Sequence, residues 1–290
     1  MMIEGGWNMY KGFSAGLIGF GDKSLAEVAP LAKSLGYEGV DFDLIAEYKN
    51  GASYVREQLE KNDLKVGGFA LPVDIHGDER KYAEELKALP KYCEFARDTG
   101  NLRCIMWVIP FSDTLDYSEN FEFHRKRFSE CACVLEEYGI RLGLEFIGPK
   151  TLREGHKYEF IHTLDGLLEL NTAIGRPNMG ILMDTFHWDL AGQKPEDFKK
   201  IPNKDYIVLA HINDAVAGVP LDEQQDMVRE LPGATGVLNI EAYMKGLASV
   251  GYDGPVYAEP FSEALKKLPF QQAAEKTKAA IDGVWKFGEM

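Results

Sequence analysis

Four side chains able to hold a metal ion each close an apolar run. They read Leu144-Glu145-Phe146, Met183-Asp184-Thr185-Phe186-His187, Ala210-His211-Ile212-Asn213-Asp214 and Ala258-Glu259-Pro260-Phe261. A carboxylate is costly to bury alone, and three of them with an imidazole are most simply compensated by a dication. Taken singly, each acid reads as a helix cap or a salt-bridge partner. Four in order, on successive runs, read as one centre. Three oxygens and one nitrogen suit Mn²⁺, the first expectation, with Mg²⁺, Co²⁺ or Zn²⁺ as alternatives, and no thiolate selects a softer ion. An ion gripping adjacent hydroxyl and carbonyl oxygens of a sugar acidifies the carbon-bound hydrogen between them. Glu145 and Glu259, on opposite faces of that carbon, would remove the proton and return it.

Further candidates surround these four. His187, three residues past Asp184, is expected to touch a substrate hydroxyl or a metal ligand; the plainer reading is a residue that closes a strand–helix turn. Trp107 and Trp188 could stack on the apolar face of a sugar ring, although buried aromatics mostly fill cores. Lys150 and Arg153, in the cation-rich loop Gly148–His156, could grip a carboxylate, a phosphate or a keto oxygen. The alternative is a solvated loop. Asn213 and Asp214 either orient His211 or touch substrate. His76 and His124 are minor candidates.

Side chains so far apart in sequence meet only if their strands end together. The runs read as strands are Ser14–Gly19, Gly39–Leu44, Val66–Leu71, Cys104–Pro110, Leu142–Phe146, Gly180–Asp184, Tyr206–Ile212 and Val256–Glu259. They are continuous apolar or small-residue runs, as parallel strands covered on both faces require. Helical patterns lie between them. Ser24-Leu-Ala-Glu27 resembles a capping box, and Gly36, Gly100, Gly139, Gly175 and Gly251 stand where helices should stop. Eight such units predict an α/β fold, a single (β/α)₈ TIM barrel over residues 1–290 with residues 1–12 as an N-terminal extension. An open doubly wound sheet would show a glycine-rich phosphate turn after its first strand, and Gly-Leu-Ile-Gly-Phe-Gly is a poor match. Two long stretches, Gly148–Phe160 and Asn213–Asn239, should lie at the C-terminal rim, where barrels build their sites.

With 290 residues and a formal charge of −14, the chain is large enough for a barrel core and ill suited to phosphate backbones or anionic membranes. No run approaches the roughly 20 apolar residues of a membrane span, and the N-terminal segment lacks the pattern of a secretory signal. Cys93, Cys104, Cys131 and Cys133 form no C-x-x-C pair and read as reduced, buried thiols. The expected location is the cytoplasm.

The strand ends LEF, MDTFHW, AHINDA and AEPF resemble those of the xylose isomerase-like barrels. That group includes ketose 3-epimerases, inosose isomerases and dehydratases, the metal-binding subunits of C-glycoside deglycosidases, and an endonuclease branch excluded here by the acidic charge. The resemblance spans nearly the whole chain. It implies that Glu145, Asp184, His211 and Glu259 bind the metal, and that Glu145 and Glu259 are the acid/base pair. It implies a metal-dependent isomerase or epimerase acting on a monosaccharide or polyol. The alternatives are a lyase on the same site and a sugar-binding barrel without catalysis. A homo-oligomer or a complex with a smaller subunit is the expected assembly.

Overall fold

The structure is a computed structural model that describes residues 9–289. Its main sheet contains β1 (Tyr10–Phe13), β2 (Gly39–Val40), β3 (Lys65–Val66), β4 (Phe69–Ala70), β5 (Arg103–Val108), β7 (Arg141–Phe146), β9 (Met179–Asp184), β10 (Ile207–Ile212) and β11 (Pro255–Ala258). A separate antiparallel pair joins β6 (Phe111–Ser112) to β8 (Tyr158–Glu159) at the rim. All pairings in the main sheet are parallel, and its order runs β3-β2-β1-β11-β10-β9-β7-β5-β4. Its two ends, β3 and β4, are one line of chain interrupted at Gly67-Gly68. The sheet therefore closes on itself into the eight staves of a TIM barrel.

That interruption has a steric cause. A Cβ on Gly67 would overlap the Tyr257 hydroxyl, and one on Gly68 would sit 2.7 Å from Leu209 Cδ1. Both glycines face the interior, so the strand changes phase between them. The expected strand Val66–Leu71 is accordingly two short pieces.

The first strand lies earlier than expected, at Tyr10–Phe13 rather than Ser14–Gly19, and so takes residues 10–12 out of the expected extension. The apolar stretch that follows is a loop. Ser14 Oγ accepts the Leu17 N–H at 3.2 Å, and Gly19 has φ +93°. Residues 1–8 of the extension lie outside the described residues. The second strand is also shorter than Gly39–Leu44, because Asp43 caps a helix that begins at Leu44.

The staves are covered by α1 (Leu25–Ser34), α2 (Leu44–Tyr48), α3 (Ala52–Lys61), α4 (Glu79–Thr99), α5 (Tyr117–Glu137), α6 (Leu164–Ile174), α7 (Thr185–Leu190), α8 (Ile240–Val250), α9 (Glu263–Lys266) and α10 (Phe270–Trp285). The capping box at Ser24 and Glu27 is present. Cys93, Cys104 and Cys131 are buried, Cys133 is half-buried, and all four are free thiols. Among the described residues no helix is long and apolar enough to cross a membrane.

Two layers of side chains fill the barrel on the site's side. Leu182, Leu209 and Tyr257 form a small cluster with Leu17 and Ile105 packed against it. Strand side chains alternate with period two, so the next inward positions along the same strands are Asp184, His211, Glu259 and Trp107. The same step from Gly12, Gly39 and Gly143 leads to Ser14, Asp41 and Glu145. The apolar floor thus carries a polar layer directly above it.

Candidate metal centre

Glu145 ends β7, Asp184 ends β9, His211 lies on β10 and Glu259 follows β11, so neighbouring staves deliver all four. One donor atom from each lies within 4.8 Å of the other three, and all four residues are buried. The Glu145 Oε1 and His211 Nδ1 atoms are buried without a hydrogen-bond partner among the described residues. His211 Nδ1 stands 3.2 Å from Glu259 Oε2 and 3.8 Å from Asp184 Oδ2.

Burial, with the charges of Glu259 and Asp184 next, holds the Glu145 carboxyl well above the usual carboxylate range. Burial pushes Glu259 the same way, but His211 and Arg229 outweigh it and bring that carboxyl below its ordinary value. Two orphaned donors facing a shared space, among carboxylates that repel one another, fit a divalent cation in both charge and donor type.

Asp184 is held by the groups behind it. Asp184 Oδ1 accepts the N–H groups of Phe186 (2.6 Å) and His187 (3.2 Å) and so caps α7. Its Oδ2 accepts Asn213 Nδ2 at 2.9 Å. Asn213, expected at the substrate, is instead fully buried behind Asp184 and orients it, with its own N–H donating to Thr185 Oγ1 at 2.9 Å.

His187 is buried beside the centre. A donor faces each ring nitrogen: Gly148 N–H at 3.3 Å from Nδ1 and Arg229 Nη2 at 3.2 Å from Nε2. Burial first, and the Arg229 charge second, hold its pKa down to about 3, so the ring is neutral. Nε2 lies 3.8 Å from Glu145 Oε1 and 3.2 Å from Arg229 Nη2.

Arg229 is the residue that sequence reasoning missed. It is buried, and its Nη1 donates to Glu259 Oε2 (2.8 Å) and Asp184 Oδ2 (3.2 Å), while Nη2 donates to Asp226 Oδ1 (2.7 Å). Its guanidinium lies between the rings of Phe186 and Phe261, at 4.6 and 4.7 Å. Phe261 has φ +39°, a left-handed backbone that a bulky residue adopts only when its surroundings demand it.

The loop that carries Arg229 is latched by Asp214. That carboxylate accepts the N–H groups of Thr235, Gly236 and Leu238 at 2.7–3.0 Å, and Asp214 pairs with Glu230 as an isolated bridge. Asp214 therefore shapes the long loop rather than His211. Thr151 Oγ1 donates to Gln224 O at 2.8 Å, joining the two rim insertions.

The remaining expected contacts are not brought to the centre. Trp188 is buried in the core against Phe198 and Tyr243, because one further step of α7 turns it away from His187's face. Lys150 is exposed and pairs with Glu154 and Asp222. Arg153 donates to the carbonyls of Gly148 and Pro149 and so braces its own loop. His124 is buried with Nδ1 on Asn120 O at 2.8 Å, and His76 packs edge-on against it. Trp107 does reach the cavity, and its ring is 45% exposed.

That cavity, of about 630 Å³, falls within the usual range for a small-molecule site. Glu145, His211 and Glu259 form one wall. Leu182, Leu209 and Tyr257 make the floor, and residues of the loops after β1 and β2 make the far side.

Comparison with known proteins agrees with this architecture. The profile of the xylose isomerase-like TIM barrel matches residues 29–284. The chain belongs to that family. An inosose isomerase from Bacillus velezensis is 24% identical over 269 residues, 91% of this chain and 92% of its own. A xylose isomerase domain protein from Alicyclobacillus acidocaldarius superposes with a TM-score of 0.87 at 26% identity, over 97% of this chain and 100% of its own. The IOLI protein, solved with a bound zinc atom, superposes with a TM-score of 0.81 over 97% of this chain and 100% of its own. Its 20% identity makes that a likeness of fold.

Proposed function

We propose that the protein is a divalent-metal-dependent isomerase or epimerase that abstracts a proton next to the carbonyl of a keto sugar or keto polyol. The observation that carries the reading is the convergence of Glu145, Asp184, His211 and Glu259, three of which, all but Asp184, line one wall of a sugar-sized cavity. The inosose isomerase relative supports a substrate of this kind. The four residues would hold the ion, with Mn²⁺ first by donor type and Zn²⁺ supported by the IOLI neighbour. When bound, the cation would polarise the carbonyl and stabilise the charge left by proton loss.

The chain's own groups supply the rest. Glu145 and Glu259 come from opposite ends of the four-stave arc, so one carboxylate takes the proton and the other returns it. The same pair would serve isomerisation if the proton returns to the neighbouring carbon. His187 and Arg229, whose Nε2 and Nη2 lie 3.2 Å apart, stand directly behind Glu145, Asp184 and Glu259 and would hold those carboxylates in place for the reaction. The dry floor of Leu182, Leu209 and Tyr257 keeps water away from the carbanionic face.

The test is turnover of free ketoses and inososes in D₂O by Mn²⁺-loaded protein, followed by NMR and mass spectrometry. Deuterium gained with a change of configuration or carbonyl position supports the reading. Glu145→Gln and Glu259→Gln should each then lower turnover about 10²–10⁴-fold without changing the fold. Loss of water from the substrate would replace the isomerase with a lyase on the same residues. Absence of exchange in every substrate, or near-normal turnover in either variant, would refute the acid/base assignment.

A further inference from the structure

The wall of the cavity facing the metal-binding side carries one carboxylate that the fold does not use. Six acidic residues and two lysines line the cavity. Glu145 and Glu259 belong to the centre. Glu47 accepts Leu25 N–H at 3.1 Å and Asn50 Nδ2 at 2.7 Å, which ties α1 to α2. Asp43 caps α2 through the N–H groups of Ile45 and Ala46. Asp22 is exposed at the rim. Asp41 remains.

Asp41 is half-buried and follows β2, where its N–H still donates to Phe13 O at 3.2 Å in the manner of the barrel ladder. Two residues past the inward-facing Gly39, it belongs to the same layer as Asp184, His211 and Glu259. In stave order Asp41 is second and Asp184 sixth, so the two stand across the barrel from each other. Burial, outweighing the Ser14 hydroxyl and the His211 ring, pushes its carboxyl up to about 7, and no lysine or arginine acts on it, so it is ionised from neutral pH upward. Beside it the Tyr257 hydroxyl is buried with no hydrogen-bond partner among the described residues. Tyr257 lines the same cavity.

Resting on the isomerase reading for the identity of the reacting end, we infer that Asp41 is a second substrate anchor. It accepts hydrogen bonds from substrate hydroxyls on the side of the barrel across from Asp184, and so selects uncharged polyhydroxy substrates over phosphorylated ones. A carboxylate accepts from two vicinal hydroxyls at once, a pattern that sugars and cyclitols offer and a phosphate does not. Both lysines of the cavity stand away from Asp41's layer, towards the mouth. Lys23 is paired with Glu27 at 3.2 Å, and Lys49 is exposed at the rim.

The experiment uses Mg²⁺-loaded protein, with myo-inositol, D-fructose and D-fructose 6-phosphate as probes and affinities read by NMR titration. The wild type should bind the two uncharged probes more tightly than the phosphate. Asp41→Ala should weaken the uncharged probes about ten- to hundred-fold, the worth of a charged hydrogen bond, while the Mn²⁺ titre and circular dichroism stay unchanged. Asp41→Asn, nearly the same shape, should narrow the discrimination against the phosphate. Unchanged affinities in Asp41→Ala, a wild type that favours the phosphate, or a wild type that binds no probe would each overturn the anchor. Deuterium exchange measured on the same samples separates the two readings. Exchange with affinities independent of Asp41 sinks the anchor alone, and Asp41-dependent binding without exchange sinks the isomerase alone.

Discussion

Arg229 offers the sharpest test of how the centre is balanced. Among the described residues it is the only arginine or lysine hydrogen-bonded to any of the four candidate ligands, and it reaches three carboxylates: Asp184 at 3.2 Å and Glu259 at 2.8 Å from that set, and Asp226 at 2.7 Å. Arg229→Met keeps an aliphatic stem between Phe186 and Phe261, so the loss is chiefly electrostatic. Each charged hydrogen bond is worth about 1.5–3 kcal/mol, but the three share one cation and do not add. Breaking a buried pair by removing one partner costs about 3–5 kcal/mol, which is the expected loss without metal. At about 2 °C per kcal/mol for a protein of this size, Tm should fall roughly 6–10 °C. A dication bound by the four candidate ligands would restore positive charge to two of these three carboxylates, Asp184 and Glu259, so saturating Mn²⁺ should reduce the deficit to less than half. The assay is calorimetry of wild type and variant, each in chelator and in saturating Mn²⁺. An equal fall of Tm in both conditions would refute the argument, because Arg229 would then not share its carboxylates with the ion.

Three other predictions concern the frame. Gly67→Ala puts a methyl group into the Tyr257 hydroxyl, so stability should fall by about 1–3 kcal/mol or more, and Tyr257→Leu in the same chain should restore part of it. Urea midpoints of both read this out, and an unperturbed single variant would mean that Gly67 does not face the barrel interior. His124, held at about 4 by burial, takes up its proton later than the unfolded chain does, whose histidine titrates near 6.5. The stability it contributes is complete above pH 6.5 and is lost as the pH falls towards 4, by about 3 kcal/mol for the 2.5-unit gap. His124→Leu should flatten that limb of urea midpoints against pH, and an identical slope would exclude the residue. Trp188→Ala should cost about 3–5 kcal/mol of stability, whereas Trp107→Ala should leave stability nearly unchanged and alter KM. Reversed effects would exchange their roles.

The convergence of Glu145, Asp184, His211 and Glu259 was legible because each lies at the end of an apolar run, and a barrel brings the ends of consecutive strands together. The strand boundaries were less so. Ser14–Gly19 looks like a strand by composition, yet Ser14 and Gly19 make it a turn, and the shorter Tyr10–Phe13 takes the ladder instead. Gly67-Gly68 hides inside an apolar run because its effect depends on Tyr257 and Leu209, nearly 200 and about 140 residues away. Trp188 and His187 are adjacent in sequence, and only the start of α7 decides that one faces the core and the other the site. Arg229 lies in a stretch without periodicity. Its position depends on Asp214 gathering the N–H groups of Thr235, Gly236 and Leu238, a tertiary device with no local pattern.

The cavity is not shared evenly between the halves of the chain. Of its 33 lining residues, 27 come before residue 108, whereas all four candidate ligands come after residue 140. On the proposed function the C-terminal half would hold the reacting groups, and the N-terminal half would supply most of the mould around a substrate. Changes in the first three loops can therefore reshape what is accepted without disturbing a single ligand. A chimera that exchanges residues before β5 with those of another family member would exchange appetite while keeping the reaction. The barrel thus divides its labour along the chain, with the candidate ligands in one half and most of the cavity lining in the other.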